Sequence, residues 1–370
     1  MVPSPLPEQS HHSVSVCSVQ GGRAYMEDEA FVSQTHDFAA VFDGHGGSAV
    51  SRYLRQNLYA HLQASLPLTH SDTNSQDSTT STVATADEPP LSTSTSSEQQ
   101  QQQQQHTPYS VSQYQQAMIL ALSKVDAEVQ RISHWSFQGS TALLAWIHQD
   151  RSTGNQTLIV ANVGDSRAVL GRHNHGALNL SRDHKPSTRS ERKRIERVGG
   201  KVVWCGKTDA RGKPVRHRGV YRVNGNLAVS RAIGDRSERP AVSAEPDTMV
   251  LPIQPTDRFV VLASDGLWDV MSSNDVVRFV EKKLNGECKG MEWNGHGRLV
   301  MDEVVGLVLE SSGVQSCMCT HSFLSFSFVP DILTQRLCIL LFHITQSINR
   351  NEKSRRAVKV TTIHVQLCRR

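Results

Sequence analysis

The stretch FAAVFDGHGG, residues 38–47, runs apolar for five residues and then sets an Asp, a Gly and a His side by side. An unbroken apolar run of this length, closed by a turn signal, reads as a strand buried on both faces. The strand fixes Asp43 at the rim of a core. The glycines after it free the backbone for a close approach, and His45 adds an imidazole beside the carboxylate.

Outward from this stretch the pattern stays strand-like. SVSVCSVQ (13–20) alternates apolar and polar residues and EAFVSQ (29–34) is brief, so three strands are expected before residue 43. Val50, Leu54, Leu58, Leu62 and Leu66 then recur every four residues, which predicts an amphipathic helix over 47–66. Residues 67–110 are different: rich in Ser, Thr and Gln, with EQQQQQQQ at 98–105 and few large apolar side chains. Such a segment buries too little surface to offset its ordering entropy and reads as a disordered loop inserted into the domain. Met118, Leu122, Val125, Val129 and Ile132 mark a second helix, antiparallel to the first across the insertion.

Strand signals resume at 140–148, 157–165 and 166–171. A short basic helix at about 187–198 is closed by Gly199 and Gly200. YRVNGNLAV reads as a hairpin turning at Asn224 and Gly225. DRFVVLASDG (257–266) is a second strand that ends on an Asp, and SSNDVVRFVEKKL behind it is a capped helix. Strands with helices between and after them give an α+β class with largely antiparallel sheets.

A chain of 370 residues with net charge +4 and 38% hydrophobic residues fits one domain with an insertion. The basic run RSERKRIER (189–197) reads as a solvated helix face. Seven cysteines (Cys17, Cys205, Cys288, Cys317, Cys319, Cys338, Cys368) form no CxxC pair, as expected of reduced thiols inside a cell, in cytoplasm or nucleus. The N-terminus lacks the basic-then-apolar pattern of a secretory signal, and CILLFHI (338–344) is too short to span a bilayer. A nuclease would need a basic groove with aromatic platforms; near-neutral charge and 6% aromatic content argue against it.

Four acidic clusters stand at strand ends or in adjoining turns: Glu27 and Asp28, Asp43, Asp165, and Asp265 with Asp269. A single DG or GDS is ordinarily a turn. Four such clusters that converge on one edge of a core make an oxygen-only, cysteine-free site suited to Mg²⁺ or Mn²⁺ rather than zinc.

RAYMEDEAF, FAAVFDGHGG, GSTALLAW, ANVGDSRAVL, RDHKP, NGNLAVSRAIGD and VVLASDGLWDVMSSNDVV follow one another in an order that resembles the metal-dependent type 2C protein Ser/Thr phosphatases. The resemblance covers about residues 13–285 outside the insertion. It implies a sandwich of two antiparallel β-sheets flanked by helices, with a dinuclear metal cleft at one end. It also implies that a metal-activated water hydrolyses phosphoserine and phosphothreonine in proteins. By that likeness Asp43 and the Gly44 carbonyl hold metal, Asp265 holds a second ion, and Glu27, Asp28 and Asp269 act directly or through water. Asp165 matches a weaker third site, Arg23 the phosphate-binding arginine, and His45 the general acid that protonates the leaving oxygen. RSERPAVSAEPD (236–247) lies where the family has a mobile flap, and His184 is left to loop architecture. A monomer acting on phosphoproteins, with no nucleic acid or membrane partner, is expected.

The resemblance stops near residue 285. MDEVVGLVLESS (301–312) reads as the next helix and VTTIHVQL (360–367) as the last strand, whereas residues 313–357 read as foreign, like translated intron or a gene-model artefact. The family enters its last strand through Asp-Asn, and that Asp is a metal ligand. Val358 and Lys359 stand at those places here, so the alternative is a catalytically impaired, phosphoprotein-binding regulatory module.

Overall fold

The computed structural model describes residues 12–20, 23–67, 109–150, 152–173, 175–284 and 337–344. In chain order the elements are β1 (Ser13–Val19), β2 (Glu29–Val32), β3 (Phe38–Phe42), β4 (Gly44–His45), α1 (Ala49–Ser65), α2 (Val111–Val129), β5 (Gly139–Ser140), β6 (Ala142–Gln149) and β7 (Gln156–Val163). They continue as β8 (Arg167–Arg172), β9 (Gly176–Asn179), α3 (Arg189–Arg197), β10 (Val202–Thr208), β11 (Pro214–Val223), β12 (Ile233–Gly234) and β13 (Asp247–Pro252). The last are β14 (Asp257–Ala263), α4 (Asp265–Trp268), α5 (Ser273–Leu284) and β15 (Leu337–His343).

Two five-stranded antiparallel sheets, ordered β1-β15-β14-β8-β9 and β13-β7-β6-β3-β2, pack face to face. Their period of two sorts the side chains into three layers. Ala39 and Val41 of β3, Val260 and Leu262 of β14, and Leu340 and Phe342 of β15 meet between the sheets. Phe38, Ala40 and Phe42 point the other way, onto α1 and α2. Phe259, Val261 and Ala263 face α5 on the opposite side. β3 is therefore apolar throughout, and β14 from Phe259 onward, because both of their faces are covered.

The helices follow from periodicity. Val50, Leu54, Leu58 and Leu62 are buried along α1, and Met118, Leu122, Val125 and Val129 along α2. Tyr53 near the start of α1 donates to Glu128 late in α2, while Lys124 reaches Ser65 at the end of α1, so the two run antiparallel. Ser110 begins α2 with a reciprocal capping box to Gln113. Ile132 lies just past the end of α2. No described helix is long and apolar enough to cross a membrane.

Two expectations change. Leu337–His343, inside the stretch read as foreign, forms a strand between β1 and β14, and its Cys338, Leu340 and Phe342 are buried. An apolar run with no family motif still supplies what a central strand needs, which is two hydrophobic faces. Asn224 (φ 52°) and Gly225 (φ 83°) make the expected tight turn and Val223 bridges Leu227 across it, but the pairing stops there and the long ladder of β11 forms with β10. Residues 236–247 are packed down: Ala241 and Val242 are buried against Ile195, and Glu238 accepts from Asn224 and Asn226. The predicted helix at 301–312, the strand at 360–367, Val358, Lys359 and nearly all of the Gln-rich insertion lie outside the described residues.

Candidate active site

Strand register brings the acidic clusters to one end of the sandwich. Val41 pairs with Leu143 and Leu143 with Asn162, so the end of β3, the start of β6 and the end of β7 align. Ala263 at the end of β14 pairs with Arg167 at the start of β8. Gly164–Ser166 crosses between the sheets there.

The backbone of Asp43 is locked to that crossing. Its N–H donates to Thr141 Oγ1 at 3.0 Å, its carbonyl accepts from Thr141 N at 2.9 Å, and Thr141 Oγ1 lies 2.7 Å from Ser166 Oγ. Gly44 follows where a side chain has no room: a Cβ would stand 2.5 Å from the Glu27 carbonyl and 2.7 Å from Ser51 Oγ. Gly164 (φ +110°) lets the chain turn into Asp165, and its N–H donates to Nδ1 of buried His184 at 3.1 Å. Nε2 of that imidazole lies 3.2 Å from Asp247 Oδ2, so His184 props the turn that carries Asp165.

The Asp43 and Asp265 carboxylates stand close enough to act on each other, an approach that two carboxylates tolerate only when a proton or a cation offsets their charge. Burial and then the Asp269 charge raise the Asp265 pKa, against the lowering effects of Lys185, the Asp43 hydrogen bond and Arg23. Burial first and Asp265 next push Asp165 up to about 7. The Lys185 ammonium lies 3.5 Å from Asp269 Oδ1 and 3.9 Å from Asp165 Oδ2. Burial opposes its charge, but the surrounding carboxylates, Asp165 foremost, raise its pKa.

His45 sits beside this cluster with Nε2 at 2.7 Å from Oδ2 of buried Asp235. Burial lowers its pKa, yet the Asp235 hydrogen bond and charge, with Asp165 and Glu27 behind them, leave it above the ordinary value. Asp28 is buried and its field falls on Cys338 of β15.

Asp43, Asp165, Asp265, Asp269 and Arg23 thus act on one another, with Gly44, Glu27 and His45 adjoining and Asp28 set toward β15. Among the described residues no group of three or more His, Cys, Asp or Glu is close enough to hold a metal ion. The carboxylates stand in pairs, yet their chemistry fits a hard divalent cation: oxygen donors only, and more negative charge than Lys185 and Arg23 offset. Sequence reasoning missed Lys185 and Asp235. Both lie in motifs it had noted, RDHKP and AIGD, but spacing gives no sign that either side chain reaches the site.

Residues 79–294 match the family model described as protein phosphatase 2C. "Probable protein phosphatase 2C 11" of Arabidopsis thaliana is 33% identical over 307 residues, covering 80% of this chain and 66% of its own length. "Probable protein phosphatase 2C 59" of the same plant is 34% identical over 341 residues, 88% of this chain and 89% of the relative. The chain spans only 53% of a third Arabidopsis relative, "Probable protein phosphatase 2C 71". Among solved structures, "Crystal structure of a phosphatase from a pathogenic strain Toxoplasma gondii" superposes with a TM-score of 0.57 at 20% identity, covering 92% of this chain and 95% of that one. This last likeness bears on the fold alone.

Proposed function

From the premise that the chain belongs to the protein phosphatase 2C family, we propose that it hydrolyses phosphoserine and phosphothreonine in proteins with the help of Mg²⁺ or Mn²⁺. The Asp43–Asp265 contact carries this reading, because two half-buried carboxylates held together at a strand-end rim call for a counter-charge between them. Asp43, the Gly44 carbonyl, Glu27, Asp28, Asp265 and Asp269 would hold two ions, and Asp165 a weaker third. When bound, the ions supply the positive charge that lets an oxygen nucleophile approach a phosphate dianion.

The chain's own residues do the rest. Arg23 offers a planar fork to two non-bridging phosphoryl oxygens, a geometry that a lysine lacks. Asp235 fixes the His45 ring through Nε2 and favours its protonated form, leaving Nδ1 to give a proton to the departing Ser or Thr oxygen. Lys185 keeps the Asp165–Asp269 side of the cluster from flying apart. The site is read as working in a monomer inside the cell. Among the described residues Cys17, Cys205 and Cys338 form no disulfide, which supports that compartment.

The second reading, an impaired member that binds phosphoproteins without turning them over, draws on the last strand. The family enters that strand through Asp-Asn, whereas β15 is preceded here by Thr334, Gln335 and Arg336, the nearest upstream acid being Asp331. A Mn²⁺ titration of phosphothreonine-peptide hydrolysis separates the two. Turnover that saturates with metal and vanishes in Asp43→Asn supports the enzyme; tight peptide binding without turnover at any metal concentration supports the module.

A further inference from the structure

We infer that the β10–β11 hairpin, together with α3, is a docking face for an acidic segment of the phosphoprotein substrate. The inference rests on the phosphatase reading and adds a substrate class to it. Residues 189–223 hold twelve lysines and arginines against three acids, a formal +9 within a chain whose total is +4. The rest of the protein is therefore net negative, and Asp43, Asp165, Asp265 and Asp269 put part of that charge at the site.

The positive charge is presented outward. β10 and β11 pair only with each other. Lys201, Lys207, Arg211, Lys213 and Arg218 are exposed. The one acid of the hairpin, Asp209, is spent on its own turn, accepting from the backbone N–H groups of Arg211 and Lys213 at 2.8 Å each. Among the described residues every ion pair of the segment converges on buried Glu191, well inside the module.

The face is tied to the site at both ends of its sequence. It begins just after Lys185, and Ser230, shortly beyond it, donates its N–H to the His184 carbonyl at 2.9 Å. The chain then reaches Asp235, the partner of His45. Arg192 lies over the Tyr221 ring, 4.9 Å from its centroid, and so fastens α3 to β11. A carboxylate-lined site repels an acidic substrate flank, and a fixed positive face on its shoulder attracts one, so the two together set a polarity for the bound chain.

A nucleic acid fits the same charge less well. Single strands need open aromatic faces on which to stack. Here Trp204 and Tyr221 pack edge to face on each other at 5.1 Å, and Arg192 covers Tyr221.

The test compares the full chain with a variant carrying Lys207→Gln, Arg211→Gln, Lys213→Gln and Arg218→Gln, all on exposed hairpin positions. Substrates are a phosphothreonine peptide with Glu/Asp flanks, the same peptide with Gln/Asn flanks, and p-nitrophenyl phosphate. At low salt the native chain should prefer the acidic peptide by about tenfold in kcat/KM, and the variant should lose that preference through KM while p-nitrophenyl phosphate stays within about twofold. Equal rates on both peptides in the native chain, or an unchanged preference in the variant, overturn the proposal. If the native chain hydrolyses none of the three, the phosphatase reading fails on its own, and fluorescence anisotropy of a labelled, unphosphorylated Glu/Asp peptide decides the docking face. Binding by the native chain and not by the variant supports it; no binding overturns it. A single-stranded oligonucleotide that binds more tightly than the acidic peptide in that assay also overturns it.

Discussion

Nε2 of His45 lies 2.7 Å from Oδ2 of Asp235, and Asp235 reaches it from a left-handed backbone (φ 48°, ψ 48°) whose N–H is held by the Gln138 carbonyl at 2.9 Å. A non-glycine residue in that region persists only where its surroundings fix it, and here the fixed group is a carboxylate aimed at an imidazole. Asp235→Asn keeps the shape and removes the charge. Hydrolysis of a phosphoserine peptide, whose alkoxide must be protonated as it leaves, should fall about 100-fold. Hydrolysis of p-nitrophenyl phosphate, whose phenolate leaves unaided, should change by less than about threefold. Equal losses on both substrates would assign Asp235 a structural role instead.

Asp43→Asn should act in opposite directions on activity and stability. It should remove turnover by at least about 100-fold, as expected for loss of a carboxylate from a metal-dependent site. In chelator-treated protein it should raise thermal stability, because an amide beside Asp265 ends the like-charge contact and can donate a hydrogen bond to it. A gain of about 1 kcal/mol corresponds to a Tm increase of about 2–4 °C for a domain of this size. A lower Tm in chelator would mean that the contact is not strained.

Leu340 tests whether β15 is an interior strand of its sheet, between β1 and β14. It is fully buried between the sheets and pairs with Val16 on one side and Leu262 on the other. Leu340→Ala should cost about 2–5 kcal/mol in urea unfolding. Val16→Ala, at a half-exposed position directly opposite, should cost less than about 1 kcal/mol. A small effect at Leu340 would mean that another segment completes the sheet.

The difference between Leu340 and Asp43 shows which features were legible in the sequence. Asp43, Asp165 and Asp265 could be placed together because each ends or follows an apolar strand, and strand ends meet wherever strands pair. The helices α1 and α2 could be read from spacing alone. β15 could not, because an isolated apolar run shows that it is buried but not where, and its partners β1 and β14 lie far away in sequence. Lys185 and Asp235 were hidden for the same reason. Each is an ordinary charged residue in a loop, and only the folded chain brings one to Asp165 and the other to His45. The packing of residues 236–247 depended on Ala241 and Val242, two small apolar residues with no period to reveal their burial.

Glu191 gives a prediction in pH. It is buried, accepts from Arg231 Nη2 at 2.7 Å, from Ser230 Oγ at 2.8 Å and from Arg194 Nη2 at 3.0 Å, and thereby anchors α3. Arg231 also reaches Asp247 Oδ1 at 3.0 Å, and Asp247 faces the imidazole of His184 under Gly164, so this network lies directly beneath the Asp165 turn. Burial works against the Glu191 charge, but the Arg231 and Arg194 hydrogen bonds outweigh it and bring its pKa down from 4.5 to about 2. A carboxyl group with a depressed folded-state pKa stabilises the fold fully above its unfolded value and progressively less as pH falls through its folded one. The contribution, about 3 kcal/mol by the pKa difference, should therefore be present at pH 7 and decline as pH falls from 4.5 toward 2. Glu191→Gln should be less stable at pH 7 by about 3 kcal/mol, since it leaves buried arginine charge uncompensated, and the gap to the native protein should shrink on acidification. Urea unfolding of both proteins at pH 7, 4 and 3 checks this; a gap that stays constant with pH would show that Glu191 carries no shifted titration.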